Sequence, residues 1–188
     1  MAFANTHASM VAVGDTQLQC FEAGVGDPVL LVSGWPQSAL CWEKIFPLLV
    51  SDYRLIAVEP PALGLSGPTS RYDMQSIAAL FHGLVRKLGL PRFHFVGHDI
   101  GCWIGYTYAS QYADTLRGVT LVEAAVPGIS PGGAYAFTAE QAKKTWHFFQ
   151  LPARIAGGTH GGARTDHPRM DFPSSRGKFR SYLSQIGG

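Results

Sequence analysis

The segment from Phe93 to Gly101 (Phe-His-Phe-Val-Gly-His-Asp-Ile-Gly) has residue types at a spacing that could do chemistry. Its first half alternates residues that favour a β-strand, and a helix-like segment follows it. Gly97 and Gly101 flank Asp99 where the chain would turn from strand to helix, and glycine tolerates tight turns and positive φ. We therefore expect the Asp99 carboxylate to project from this turn, at the positive end of the helix dipole, as a nucleophile.

The choice of aspartate restricts the reaction. A carboxylate that attacks an acyl carbon would form a high-energy anhydride. A carboxylate that displaces a leaving group at a saturated carbon forms an alkyl ester, which water can cleave. Epoxides and alkyl halides are therefore the small-molecule substrates that fit. The alternative is that Asp99 only caps the following helix, a role that aspartate fills well.

Composition bounds the class of protein. The chain has 188 residues, 46% hydrophobic and 15% charged, which predicts one globular domain, and its net charge of +2 gives no indication of nucleic-acid binding. The three cysteines lack motif spacing, and neither a signal peptide nor an apolar run long enough for a membrane is visible. We expect a cytoplasmic protein that binds no membrane. The histidines lack metal-ligand spacing and residues 97–101 are not a dinucleotide motif, so no metal or cofactor is expected.

Strands and helices alternate over the first 123 residues. The patterns predict strands at 10–13, 17–23, 29–32, 54–58, 93–97 and 117–123, and helices at 38–50, between Asp73 and Gly89, and at 101–112. This alternation is typical of an α/β fold with a mostly parallel sheet flanked by helices. Ligands bind beyond the carboxyl ends of such strands, so the loops 33–36, 59–67 and 97–101 should meet there.

With these features in place, the chain resembles the α/β-hydrolase superfamily, and within it the epoxide hydrolase and haloalkane dehalogenase branch. The resemblance covers roughly residues 10–150. Its features are the buried strand that ends in Ser33-Gly34-Trp35-Pro36, the loop from Glu59 to Gly67, the turn Gly97-His98-Asp99-Ile100-Gly101, and a segment Trp146-His147-Phe148-Phe149 that is similar to the start of a helical cap.

The resemblance implies roles for individual residues. Asp99 would be the nucleophile, the backbone N–H groups of Trp35 and Ile100 would form the oxyanion hole, and the Trp35-Pro36 bond would be cis. The substrate pocket would include Pro36, His98, Trp146, His147 and Phe148, with His98 as a packed turn residue rather than a general base. It also implies that residues 1–126 are the N-terminal part of the core and 127–150 the start of the cap. The composition changes after Gln150, which predicts an irregular tail rich in Gly and Arg over residues 151–188.

Departures from the family pattern bear on the substrate. Ser33 stands where the family usually has His, and Glu59 where it usually has Asp. Ile100 and Phe148 stand where dehalogenases usually have tryptophan, so the pattern favours epoxides over alkyl halides and haloacids.

The catalytic His and its carboxylate partner are expected after the cap, beyond residue 188, so the chain is expected to be a fragment, incomplete at its C-terminus. The alternatives are a haloalkane or haloacid dehalogenase, or a catalytically inactive, truncated domain. In the latter, an open sheet edge near residues 117–123 could allow a homodimer.

Overall fold

A six-stranded sheet is the centre of the computed structural model, which describes residues 5–126 and 130. The strands are β1 (His7–Val13), β2 (Thr16–Ala23), β3 (Asp27–Val32), β4 (Tyr53–Val58), β5 (Phe93–His98) and β6 (Leu116–Val122). The α-helices are α1 (Phe46–Leu49), α2 (Met74–Lys87) and α3 (Ile100–Tyr112), and 3-10 helices span Ala39–Trp42 and Ala113–Thr115. The predicted cap segment 127–150 and tail 151–188 lie outside the described residues, apart from residue 130.

The strand order is β1-β2-β4-β3-β5-β6. β1 and β2 run antiparallel to their neighbours, whereas β4, β3, β5 and β6 are mutually parallel. The predicted mostly parallel sheet is therefore confirmed. Within the described residues β6 pairs only with β5, so β6 is the last strand on that side of the sheet. This is the position expected for residues 117–123.

Two apolar cores cover the two faces of the sheet. On β3, Leu30 and Val32 pack into the core beneath α2 and α3, whereas Val29 and Leu31 pack into the core that contains Trp42. Because successive strand residues point to opposite faces, a strand buried on both sides needs a continuous apolar run. This explains why β3 and β4 lack the alternation of a half-exposed strand.

Helix α2 begins and ends where the sequence predicted. Asp73 is its N-cap, and the Ser76 N–H donates to Asp73 Oδ1 at 2.9 Å. Gly89 follows the last turn with a φ of +65°, which glycine adopts without a Cβ penalty. The helix buries part of the predicted apolar stripe, including Phe81 and Leu84, against the sheet.

The single helix predicted over residues 38–50 is wrong. The segment instead forms the short 3-10 helix Ala39–Trp42 and then the single turn of α1. Pro47 has no N–H to donate within a continuous helix, and its ring would clash with the carbonyl four residues earlier. Trp42 and Phe46 are nevertheless buried. The apolar pattern therefore predicted the burial of these side chains correctly and the length of the helix incorrectly.

No helix in the described part of the chain is both long enough and apolar enough to cross a bilayer.

Candidate functional site

The three loops that the topology was expected to bring together do meet at the carboxyl edge of the sheet. The Trp35 N–H, in the loop after β3, donates to Asp99 Oδ1 at 2.9 Å. The Ala39 N–H donates at 3.2 Å to a carboxylate oxygen of Glu59, in the loop after β4. Parallel strands place their carboxyl ends at one edge, and β3 lies between β4 and β5.

Asp99 occupies a strained backbone conformation at the turn between β5 and α3. Its φ is 55° and its ψ is −116°, values that non-glycine residues rarely adopt. The surrounding structure holds it there, since its N–H donates to the Val122 carbonyl at 3.1 Å and its carbonyl accepts from the Cys102 N–H at 2.9 Å. The backbone is therefore fixed on both sides of the carboxylate.

The Asp99 side chain does not cap the helix that follows it. Asp99 is the N-cap residue of α3, but its carboxylate forms no capping hydrogen bond. Oδ1 accepts from the Trp35 N–H instead, across 64 positions of the sequence. The capping alternative therefore does not describe what this carboxylate does, because the side chain points to the loop after β3.

The flanking glycines are required for close packing, not for positive φ. A Cβ on Gly97 would overlap the Gly101 carbonyl oxygen, and a Cβ on Gly101 would overlap the Val32 carbonyl oxygen. Neither glycine is among the residues with positive φ; that conformation falls on Asp99 itself. The expectation of a turn too tight for side chains is confirmed, and the expectation that the glycines supply the positive φ is wrong.

Of the two predicted oxyanion-hole residues, the structure places Trp35 directly at the carboxylate. The Trp35-Pro36 peptide bond is cis, as the resemblance implied, and Pro36 is exposed beside it. Ile100 is the first residue of α3, so its N–H has no carbonyl partner within that helix. Both N–H groups thus lie next to Asp99 in space or in sequence.

His98 lies directly before Asp99 in the turn and is paired with Glu123, a residue that the sequence did not single out. Its Nε2 lies 3.2 Å from Oε2 of Glu123, and its side chain is half-buried while that of Glu123 is 80% exposed. Glu123 had been included in the last predicted strand, but β6 ends one residue earlier, and Glu123 turns away with a φ of 59°. An acidic residue directly after a strand at this edge was the available signal.

Cys102, in the first turn of α3, is a buried structural residue. Its Sγ lies 3.0 Å from the Gly97 carbonyl oxygen and 2.9 Å from that of Val122, and it accepts from the Val122 N–H. Burial raises the pKa of this thiol, which disfavours the thiolate. These contacts tie α3 to β5 and to the end of β6.

Trp146, His147 and Phe148, which were predicted to line the substrate pocket, lie outside the described residues. Within the described residues, no group of three or more His, Cys, Asp or Glu side chains could hold a metal ion.

Comparison with known proteins agrees with this geometry. The family model described as the alpha/beta hydrolase fold matches residues 27–170. The chain belongs to the α/β hydrolase fold family. The resemblance inferred from the motifs and the fold class are thereby confirmed, and the six strands constitute part of that fold.

Two curated relatives of this α/β hydrolase chain have different activities. A fluoroacetate dehalogenase from Burkholderia sp. is 29% identical over 150 residues, covering 77% of this chain and 49% of that protein. A soluble epoxide hydrolase from Corynebacterium sp. (strain C12) is 30% identical over 112 residues, covering 59% and 39%. The chain thus spans about half or less of the length of these relatives.

Solved structures give the same result for the fold. The structure of Cfl2 from Burkholderia cenocepacia matches with a TM-score of 0.70 and 28% identity, over 95% of this chain and 57% of that one.

Proposed function

We propose that this α/β hydrolase chain belongs to an enzyme in which Asp99 attacks a saturated carbon and forms an alkyl-enzyme ester, with an epoxide as the favoured substrate. The observation that carries the proposal is the 2.9 Å hydrogen bond from the Trp35 N–H to Asp99 Oδ1. It engages one carboxylate oxygen. No other hydrogen bond to this carboxylate forms within the described residues, which leaves Oδ2 to attack.

The first step would open the epoxide ring. Oδ2 forms a bond to the less hindered ring carbon, the carbon–oxygen bond breaks, and the oxygen leaves as an alkoxide that takes a proton from an acid. Because that oxygen stays attached to the substrate, the reaction needs a proton donor rather than a halide site.

The second step would cleave the ester at the carbonyl carbon of Asp99. Water attacks this carbon and gives its proton to a base, and the negative charge of the tetrahedral intermediate develops on Oδ1. The Trp35 N–H already donates to that atom, so it is positioned to stabilise this charge. The intermediate then releases the diol and regenerates the carboxylate, which keeps one oxygen from the water.

The base that activates the water is proposed to be a histidine outside the described residues. His98 is engaged with Glu123, and its Nε2 has no hydrogen bond to Asp99. Glu123 directly follows β6. It lies next to the turn at Asp99, since the Asp99 N–H donates to the carbonyl of Val122, the residue before Glu123. We propose it as a partner that could orient such a histidine.

Two side chains support an epoxide over a halide. Ile100, directly after the nucleophile, has no side-chain donor. The Trp103 indole N–H donates to the Ala125 carbonyl at 2.9 Å, so it is already engaged and does not serve a departing halide. Dehalogenation remains the second candidate function, because the fluoroacetate dehalogenase aligns over 150 residues.

Intact-protein mass spectrometry tests the proposal. Incubation with a terminal epoxide such as styrene oxide should add the mass of one epoxide, and peptide mapping should place it on Asp99. Asp99→Asn should abolish the adduct, whereas Asp114→Asn, which changes an exposed carboxylate, should not. Halide release from a haloalkane without an epoxide adduct would favour the second candidate. Absence of both reactions would contradict the proposal and favour the inactive domain.

A further inference from the structure

We infer that Glu59 is a positioning residue that holds the oxyanion loop against Asp99, an inference that rests on the proposed function. Here the oxyanion loop means residues 33–39, which include Trp35. Within the described residues, Glu59 forms no hydrogen bond to Asp99. It acts through the loop that carries the Trp35 N–H.

The Glu59 carboxylate is buried and its partners are backbone N–H groups. The residue is 3% exposed, and none of the ion pairs in the described part of the chain includes it. Its Oε1 accepts from the Ala39 N–H at 3.2 Å, and its Oε2 accepts from the Leu65 N–H at 2.6 Å. A buried carboxylate is costly unless hydrogen-bonded, so these two bonds constrain both loops.

The contact with Ala39 fixes the far end of the oxyanion loop. The near end leaves β3 after Val32, which pairs with Val58 of β4, so the loop and Glu59 leave the sheet side by side. Between the two ends, the Gln37 N–H donates to the Gly34 carbonyl at 3.0 Å and closes a turn around Trp35. The position of the Trp35 N–H is therefore set by β3 at one end and by Glu59 at the other.

Glu59 is itself held on all sides. Its N–H donates to the Gln19 carbonyl at 3.0 Å, and the Ser66 hydroxyl donates to its carbonyl at 2.6 Å. A Cβ on Gly64 would overlap the Glu59 carboxylate, so glycine at 64 makes room for this side chain. Glu59, which stands where the family usually has Asp, is therefore packed between two loops.

The two chemical steps should depend differently on this support. In alkylation the Trp35 N–H donates to a carboxylate that loses its charge, so loosening that hydrogen bond does not slow the attack. In ester cleavage the charge develops on Oδ1, and the N–H must stay in place. Loss of the Glu59 contact should therefore slow cleavage more than alkylation.

Cleavage can be measured without the histidine base by using hydroxylamine. The protein is alkylated on Asp99 with styrene oxide, excess epoxide is removed, and hydroxylamine is added to the native protein. Its nitrogen bonds to the ester carbonyl carbon, the bond from that carbon to the alkoxy oxygen breaks, and the alkoxide takes the proton lost by the nitrogen and leaves as the diol. Asp99 becomes a hydroxamate, and mass spectrometry follows both species.

Glu59→Gln is compared with Glu22→Gln, which changes a half-exposed carboxylate paired with Arg54. We expect E59Q to alkylate within about threefold of the parent rate and to be cleaved about tenfold more slowly, less than the 10²–10³ for removing a donor outright. E22Q should match the parent in both steps, and all denatured esters should cleave at one rate. Glu59→Asp, which keeps the charge but is one methylene shorter, should be intermediate.

Equal native cleavage rates in E59Q and the parent would overturn the inference. So would a parallel slowing of both steps accompanied by a lower melting temperature in both E59Q and E59D, because this would indicate a role in folding alone. Absence of an Asp99 adduct in the parent would instead overturn the proposed function. Adduct formation by the parent is measured before any variant is compared.

Discussion

Gly34→Ala tests the contact between the oxyanion loop and Asp99 most directly. Gly34 is not among the glycines with positive φ, so its backbone conformation accepts alanine. The added methyl would overlap Asp99 Cβ and would lie 3.0 Å from both Cγ and Oδ1 of Asp99. The substitution therefore acts on the site through steric overlap alone.

The size of the effect follows from these distances. Non-bonded carbon atoms prefer roughly 3.5–4.0 Å, so the loop and Asp99 must separate by about 1 Å. That shift would stretch the 2.9 Å bond from the Trp35 N–H to Oδ1 to roughly 4 Å, which breaks it. Loss of one oxyanion-hole donor costs about 10²–10³ in rate, and overpacking costs about 1–3 kcal/mol of stability.

The assay is the cleavage of the Asp99 alkyl ester by hydroxylamine, with the alkylation rate and the melting temperature measured alongside. Gly34→Ala should slow cleavage about 100-fold. Gly118→Ala in β6 is the matched control, because its Cβ would lie 3.3 Å from His94 Nδ1, a side-chain contact away from Asp99. A folded Gly34→Ala protein whose ester is cleaved at the parent rate would refute the reasoning.

Two further predictions concern stability, both measured by urea unfolding. Asp73→Ala should cost about 1 kcal/mol at pH 7, since it removes the cap bond to Ser76. That bond lowers the pKa of Asp73 in the folded protein. Its stabilisation is therefore present above the unfolded pKa of about 4 and is lost as the pH falls through the folded pKa. An equal cost of the substitution at pH 7 and at pH 3 would contradict this. Ser33→Ala should stabilise by about 1 kcal/mol or be neutral, because the buried Ser33 hydroxyl has no partner in the described residues; a clear destabilisation would show that the hydroxyl is satisfied.

The sheet was predictable because its signals are local. Apolar runs at β3 and β4 and the alternation at β5 required no knowledge of distant residues, and their order predicted a parallel sheet. The segment 38–50 failed because apolar spacing reports which side chains are buried, not whether the backbone between them is continuous. Pro47 was the local signal of the break, and it outweighs the periodicity.

Only the part of the site that follows from the order and direction of the strands could be predicted. The predicted parallel sheet indicated that the loops containing Trp35 and Asp99 would meet, and they do; the role of the Trp35 N–H was implied only by the family resemblance. The role of Glu59 depends on a side chain that reaches Ala39, 20 positions earlier, and no spacing rule indicates such a contact. Glu123 escaped notice because its position depends on where β6 ends, and strand ends are the least certain part of a sequence-based prediction.

The two proposed chemical steps depend on different groups and can therefore be measured separately. Asp99, proposed to attack in alkylation, and the Trp35 N–H, proposed to act in ester cleavage, lie in loops that follow β5 and β3, two strands that are neighbours in the sheet. Activation of water needs a base that the described residues do not place at Asp99. The proposed attack of the Asp99 carboxylate on an epoxide needs no such base, because no water is activated in that step. Adduct formation therefore tests Asp99 together with the acid that protonates the epoxide oxygen, and hydroxylamine cleavage then tests the oxyanion loop.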